Sequence, residues 1–142
     1  MFYLSLVVII LLVFIAFMHL YWVFGGRLGL DSVIPTVHDR PLLNPGKIAA
    51  FIVAIAMCGF SFIAYLLQFH DLSSASYSIY ILSIGWMLSF IFVLRAIGEF
   101  NVVGFFKKVK DSKFAKYDTM LYSPLSLFIG LYFVLITYIR SV

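Results

Sequence analysis

The sequence predicts an all-α fold, a four-helix transmembrane bundle, on three observations. Hydrophobic residues make up 64% of the 142-residue chain. Charged residues account for only 11%, against about 25% in a soluble domain. The apolar residues fall into four long runs, and at about 1.5 Å of rise per residue some twenty residues of helix cross a hydrocarbon layer of roughly 30 Å. This composition excludes a soluble fold, and a chain of this length is expected to form a single integral membrane domain with spans at about 1–24, 45–69, 76–99 and 123–140.

The first run, Met1 to Phe24, contains no Asp, Glu, Lys or Arg. It lacks the basic leading region of a signal peptide and is expected to be retained as a span. The second follows Asn44-Pro45-Gly46-Lys47. There Asn44 can cap free amides and Pro45 fits a first turn that needs no donor, so the helix is expected to begin near Pro45. After the short polar turn His70 to Ser76, a third run reaches Gly98 and carries Arg95 near its end. Such a short turn predicts two antiparallel neighbours. The fourth run is expected to start at Ser123-Pro124 and to end near Arg140. Small residues on the second span (Ala50, Ala54, Gly59) and the third (Ser83, Gly85, Ser89) would let helix backbones approach closely.

Cys58 is the only cysteine, which rules out a disulfide or thiolate metal cluster within the chain. In its apolar run it is expected to be a small buried hydrophobe. The histidines and acids show no spacing that gathers three ligands, so neither a metal nor a cofactor is expected.

Orientation follows from counting basic residues, which are retained on the cytoplasmic side in short loops. Nine of the ten Lys and Arg side chains lie in or beside the connections between spans one and two and between spans three and four, and Arg140 alone lies opposite. Both termini and the His70 turn are therefore expected outside, with both longer connections in the cytoplasm.

Ionisable groups inside lipid are costly and often functional, but no span carries one near its middle. They gather at the expected cytoplasmic ends. His19 is followed by Tyr21 and Trp22, then Arg27; Arg95 is followed four residues later by Glu99; Asp118 and Tyr122 precede the fourth run. The spacing of Arg95 and Glu99 predicts a shared helix face and an ion pair. That pair is either an interfacial anchor or a support for Arg95 as a planar fork of donors for an anion. His19 is either an interfacial anchor beside aromatics or a proton acceptor. The glycine- and proline-punctuated connection Gly25 to Asn44 is expected to follow a defined path, either as a cap over the bundle mouth or as a simple packed link. Between spans three and four, Lys107, Lys108, Lys110, Lys113 and Lys116 are interleaved with Phe105, Phe106, Phe114 and Tyr117. This mixture suits an interfacial segment in contact with anionic lipid. With no soluble reading module behind the lysines, nucleic acid is not an expected partner.

Several of these residues also form longer motifs. His19-Leu20-Tyr21-Trp22 with Gly25-Gly26-Arg27, Arg95-Ala96-Ile97-Gly98-Glu99-Phe100 with Val103-Gly104-Phe105-Phe106-Lys107, and Tyr122-Ser123-Pro124-Leu125 resemble a family of small four-span bacterial membrane proteins described only as a domain of unknown function. The resemblance runs through nearly the whole chain and departs from the family pattern at Leu28, Glu99 and Asn101. It implies a bacterial inner membrane and supplies no activity.

Three functions fit. The first is a binding or accessory protein whose cytoplasmic mouth recognises an anionic lipid headgroup, a membrane-protein partner or a second copy of the chain. The second is an intramembrane enzyme on a lipid-like substrate, with His19 or Glu99 as acid/base, Arg95 as anion clamp, and Asp118 or Tyr122 orienting the substrate. The third, a small oligomeric transporter, is disfavoured by the uncharged middle of every span. The first needs only Arg27, Arg95, the lysine segment and the aromatic floor, and the first two lose their basis if His19, Arg95, Glu99, Asp118 and Tyr122 diverge toward lipid instead of lining one cavity.

Overall fold

A computed structural model of the chain describes residues 1–34, 36–37, 40–41, 46–72, 76–108, 110 and 112–142, and the backbone alone for 31, 36, 37, 40 and 41. Four helical segments are long and apolar enough to cross a membrane, and the chain is a multi-pass membrane protein. They are α1 (Phe2–Val23), α3 (Lys47–Phe69), α4 (Ser78–Ile97) and a composite segment, Lys113–Ser141. The last comprises α5 (Lys113–Tyr117), a π-helical turn (Asp118–Tyr122) and α6 (Ser123–Ser141). Between α1 and α3 lie a single helical turn, α2 (Leu30–Val33), and a two-residue antiparallel pairing of Thr36-Val37 (β1) with Arg40-Pro41 (β2). The Asn44 cap and the Pro45 start expected for the second span lie outside the described residues.

Helix α1 packs mainly on α3, and α4 on α6. The sequence periodicity explains how. Helix α1 is apolar on all sides, yet only Ser5, Val8, Leu12 and Ala16 are buried, a stripe at three- and four-residue spacing. Its other faces, including Ile10, Phe14 and Phe17, are exposed as lipid-facing residues would be. The α4/α6 pair meets at two glycines. Side chains would not fit at the crossing: a Cβ on Gly85 would lie 2.3 Å from Thr137 Oγ1, and one on Gly130 would lie 3.0 Å from the backbone nitrogen of Val93. The core of the bundle includes Leu12, Leu67, Leu88, Tyr132, Phe133 and Ile136. Among the small residues expected at interfaces, Ala54, Gly85 and Ser89 are buried, whereas Gly59 and Ser83 are exposed. Cys58, expected to be buried, faces outward from α3.

At the end that carries the short turn, the Arg140 guanidinium closes the C-terminus of α3. Its Nε donates to the Leu67 carbonyl at 2.6 Å and its Nη2 to the Gln68 carbonyl, two of the acceptors that a helix end leaves without intrahelical partners. Ser5 Oγ donates to Gln68 Oε1 at 2.8 Å, tying α1 to the same place.

Two boundaries differ from the sequence reading. The third span ends at Ile97, because Gly98 takes φ +84° and turns the chain out of the helix. The fourth does not begin at Ser123: the chain is already helical from Lys113, and the π turn sits directly before Pro124. Proline has no N–H to return and its ring collides with the carbonyl four residues back. A widened turn accommodates both without ending the helix.

Candidate functional site

The polar groups at the end with the long connections form two centres.

The first is an ionic cluster around Asp118, a residue with no exposed surface. Its Oδ1 accepts from Arg95 Nη2 at 3.0 Å, and its Oδ2 accepts from Lys107 Nζ at 2.9 Å and from the Gly104 amide at 2.7 Å. Lys107 is only 3% exposed. Its remaining donors go to the Gly104 carbonyl at 3.0 Å and to Thr119 Oγ1 at 2.6 Å, so the ammonium has three partners for three donors. The glycines make this geometry possible. A Cβ on Gly98 would lie 1.8 Å from the Val103 carbonyl oxygen, and one on Gly104 would lie 2.3 Å from the Ile97 carbonyl oxygen. Both have positive φ, which L side chains rarely adopt. Phe105 N–H then donates to the Ala96 carbonyl at 2.9 Å, fastening the connection to the end of α4. The cluster sets two cations against one carboxylate, and Arg95 Nη1 is buried without a hydrogen-bond partner among the described residues.

The second centre is a cavity of about 580 Å³ between the C-terminal end of α1 and the N-terminal end of α3. His19, Trp22, Arg27 and Lys47 contribute its polar and aromatic lining. Ala50 and Val53 form part of its apolar wall, while Leu30 and Ile34 reach it from the connection. His19 Nδ1 lies 2.8 Å from the Ile15 carbonyl, and the ring meets Trp22 edge to face with centroids 4.9 Å apart. The Trp22 indole N–H donates to the Leu28 carbonyl at 2.9 Å, holding the connection over the helix end. Tyr21, half-exposed, lays its ring over Gly26, where a Cβ would lie 2.2 Å from it.

Among the described residues, these candidates therefore do not share one cavity. His19, Trp22 and Arg27 line the α1/α3 cavity, whereas Arg95 and Asp118 belong to the ionic cluster. Tyr122 packs its ring 6.3 Å from that of Phe114. Glu99 is exposed beyond the helix end. The predicted Arg95–Glu99 pair required a helix continuing past Gly98, and Arg95 turns instead to Asp118. Lys107, expected at the lipid interface, is withdrawn into the cluster because Asp118 and Gly104 satisfy its ammonium. Lys108, Lys110, Lys113 and Lys116 remain exposed.

Sequence reasoning missed Lys47 as a cavity residue, and Thr119, Gly98 and Gly104 as supports of the cluster. The paired glycines flanking the Glu99–Val103 stretch were the available signal for a tight return of the chain. Among the described residues no group of three or more His, Cys, Asp or Glu is placed to hold a metal.

A model of a protein family of unknown function, DUF3995, matches residues 12–133. The chain belongs to that family. No curated protein and no solved structure matches it.

Proposed function

We propose that this family member is a binding or accessory membrane protein that holds an anionic lipid headgroup in the cavity between α1 and α3, at the cytoplasmic face of a bacterial inner membrane. The supporting observation is the make-up of the cavity lining: two cations, Arg27 and Lys47, stand over apolar walls, with no carboxylate among the described lining residues. A pocket of this kind suits a ligand with an anionic group at one end and hydrocarbon at the other. Four exposed lysines, from Lys108 to Lys116, lie at the same end of the bundle and raise the local concentration of such lipids. The orientation rests on the nine basic side chains gathered there.

The enzymatic reading loses support from the geometry, since its proposed acid/base, clamp and orienting residues occupy two centres.

Native mass spectrometry after extraction from membranes containing phosphatidylglycerol and phosphatidylethanolamine tests the proposal. The anionic lipid is expected to be retained selectively. The double variant Arg27→Ala/Lys47→Ala is expected to lose roughly 2 kcal/mol of that affinity, at about 1 kcal/mol per basic residue. Equal retention of both lipids, or of the anionic lipid by wild type and double variant, would refute it.

A further inference from the structure

We infer that the cavity ligand carries a hydrogen-bond donor beside its anionic group, and that His19 reads that donor through Nε2. This rests on the lipid-binding reading above and narrows the ligand to a hydroxylated anionic headgroup. The argument starts from the polar atoms of the cavity and what each already does. The Ile15 carbonyl can only accept, so His19 Nδ1, at 2.8 Å, is the donor of that bond. In the neutral ring this selects the tautomer with the lone pair on Nε2. Among the described residues Nε2 has no hydrogen-bond partner, although the ring lines the cavity.

The other polar side chains of the described lining are donors or already engaged. Trp22 Nε1 is taken by the Leu28 carbonyl. The amides of Gly25 and Gly26 donate to the Trp22 and Tyr21 carbonyls. Arg27 and Lys47 donate only, and neither has a carboxylate partner among the described residues. His19 Nε2 is thus a side-chain acceptor among cations. A bare anion satisfies Arg27 and Lys47 and leaves Nε2 unmatched. An anion bearing a hydroxyl satisfies all three, as a phosphodiester carrying a polyol does. The apolar walls at Ala50 and Val53 favour such a group attached to acyl chains over a free phosphate ester.

A pair of lipids that differ only in this donor provides the test. Dihexanoyl phosphatidylglycerol and dihexanoyl phosphatidylmethanol have the same charge and chains, and only the first has headgroup hydroxyls. The chain has two tryptophans, so Trp86→Phe leaves Trp22 as the fluorescent reporter inside the cavity. In non-ionic detergent, phosphatidylglycerol is expected to bind roughly fivefold to tenfold more tightly, the increment of one hydrogen bond. His19→Phe is expected to abolish that preference, read as the ratio of the two affinities in the same variant, and His19→Gln, which restores an acceptor, to recover part of it. Equal affinity of wild type for the two lipids, or a preference that survives His19→Phe, overturns the assignment to His19 and leaves the lipid-binding reading standing. Binding of neither lipid overturns both. Soluble glycerol 1-phosphate is expected to bind far more weakly, and equal binding would overturn the acyl-chain part of the proposal.

Discussion

The ionic cluster at Asp118 and the cavity at His19 use the same kinds of residue at the same end of the bundle, with opposite outcomes. In the cluster, a carboxylate with no exposed surface draws Lys107 and Arg95 inward, and all three donors of Lys107 find acceptors within the chain. In the cavity, Arg27 and Lys47 are exposed and face no carboxylate among the described lining residues. A basic residue near a membrane becomes part of the scaffold when an acid is folded against it, and stays available for a ligand when none is. The acid decides, and it need not be close in sequence.

The largest expected effect comes from removing that acid. Asp118→Asn leaves Lys107 charged, buried and without its counter-ion, and is expected to destabilise the fold by about 3–5 kcal/mol in thermal unfolding in detergent. Adding Lys107→Met should recover part of the loss, because the uncompensated charge goes with it. If Asp118→Asn alone is neutral, the cluster is not what holds the second connection.

Next comes Gly98→Ala, expected to cost about 1–3 kcal/mol from the positive φ alone, with the contact against the Val103 carbonyl adding to it. Unchanged unfolding of this variant would show that the turn does not lock the cluster.

The smallest effects sharpen the contrast. Glu99→Gln, Lys110→Ala and the double variant Arg27→Ala/Lys47→Ala are each expected to stay within about 0.5 kcal/mol of wild type in the same unfolding measurement, even though the last is expected to lose lipid. A large destabilisation by Glu99→Gln would restore the pairing that the four-residue spacing suggested.

These contrasts also show what could be read from residues in order. The four spans were legible because a hydrocarbon layer imposes a length and a polarity on each, and the runs from Met1, Ile48, Tyr77 and Ser123 meet both. The fourth helix starts earlier than its apolar run because α5 is polar: Ser112 caps it by accepting from the Ala115 amide at 3.0 Å, and hydropathy does not register a cap. Arg95 was legible as important, but its partner was not. Glu99 offered a helical spacing that Gly98 breaks, whereas Asp118 lies 23 positions away and reaches Arg95 only through the packing of α4 on α6. Lys107 could not be told from its neighbours by composition, since five lysines share one segment and only tertiary contact singles one out. His19, Trp22 and Arg27 lie close along α1 and its connection, so their common place in the cavity follows from local sequence. Lys47, at the start of another helix, joins them only when α3 packs on α1.

The pairing of α1 with α3 and of α4 with α6 has a bearing on biogenesis. Each pair is contiguous along the polypeptide and joined by its own connection, so the first can close while the ribosome is still making the second, with only modest loop-closure entropy to overcome. The Arg140 guanidinium, on the carbonyls of Leu67 and Gln68, then fastens the end of the second pair to the first.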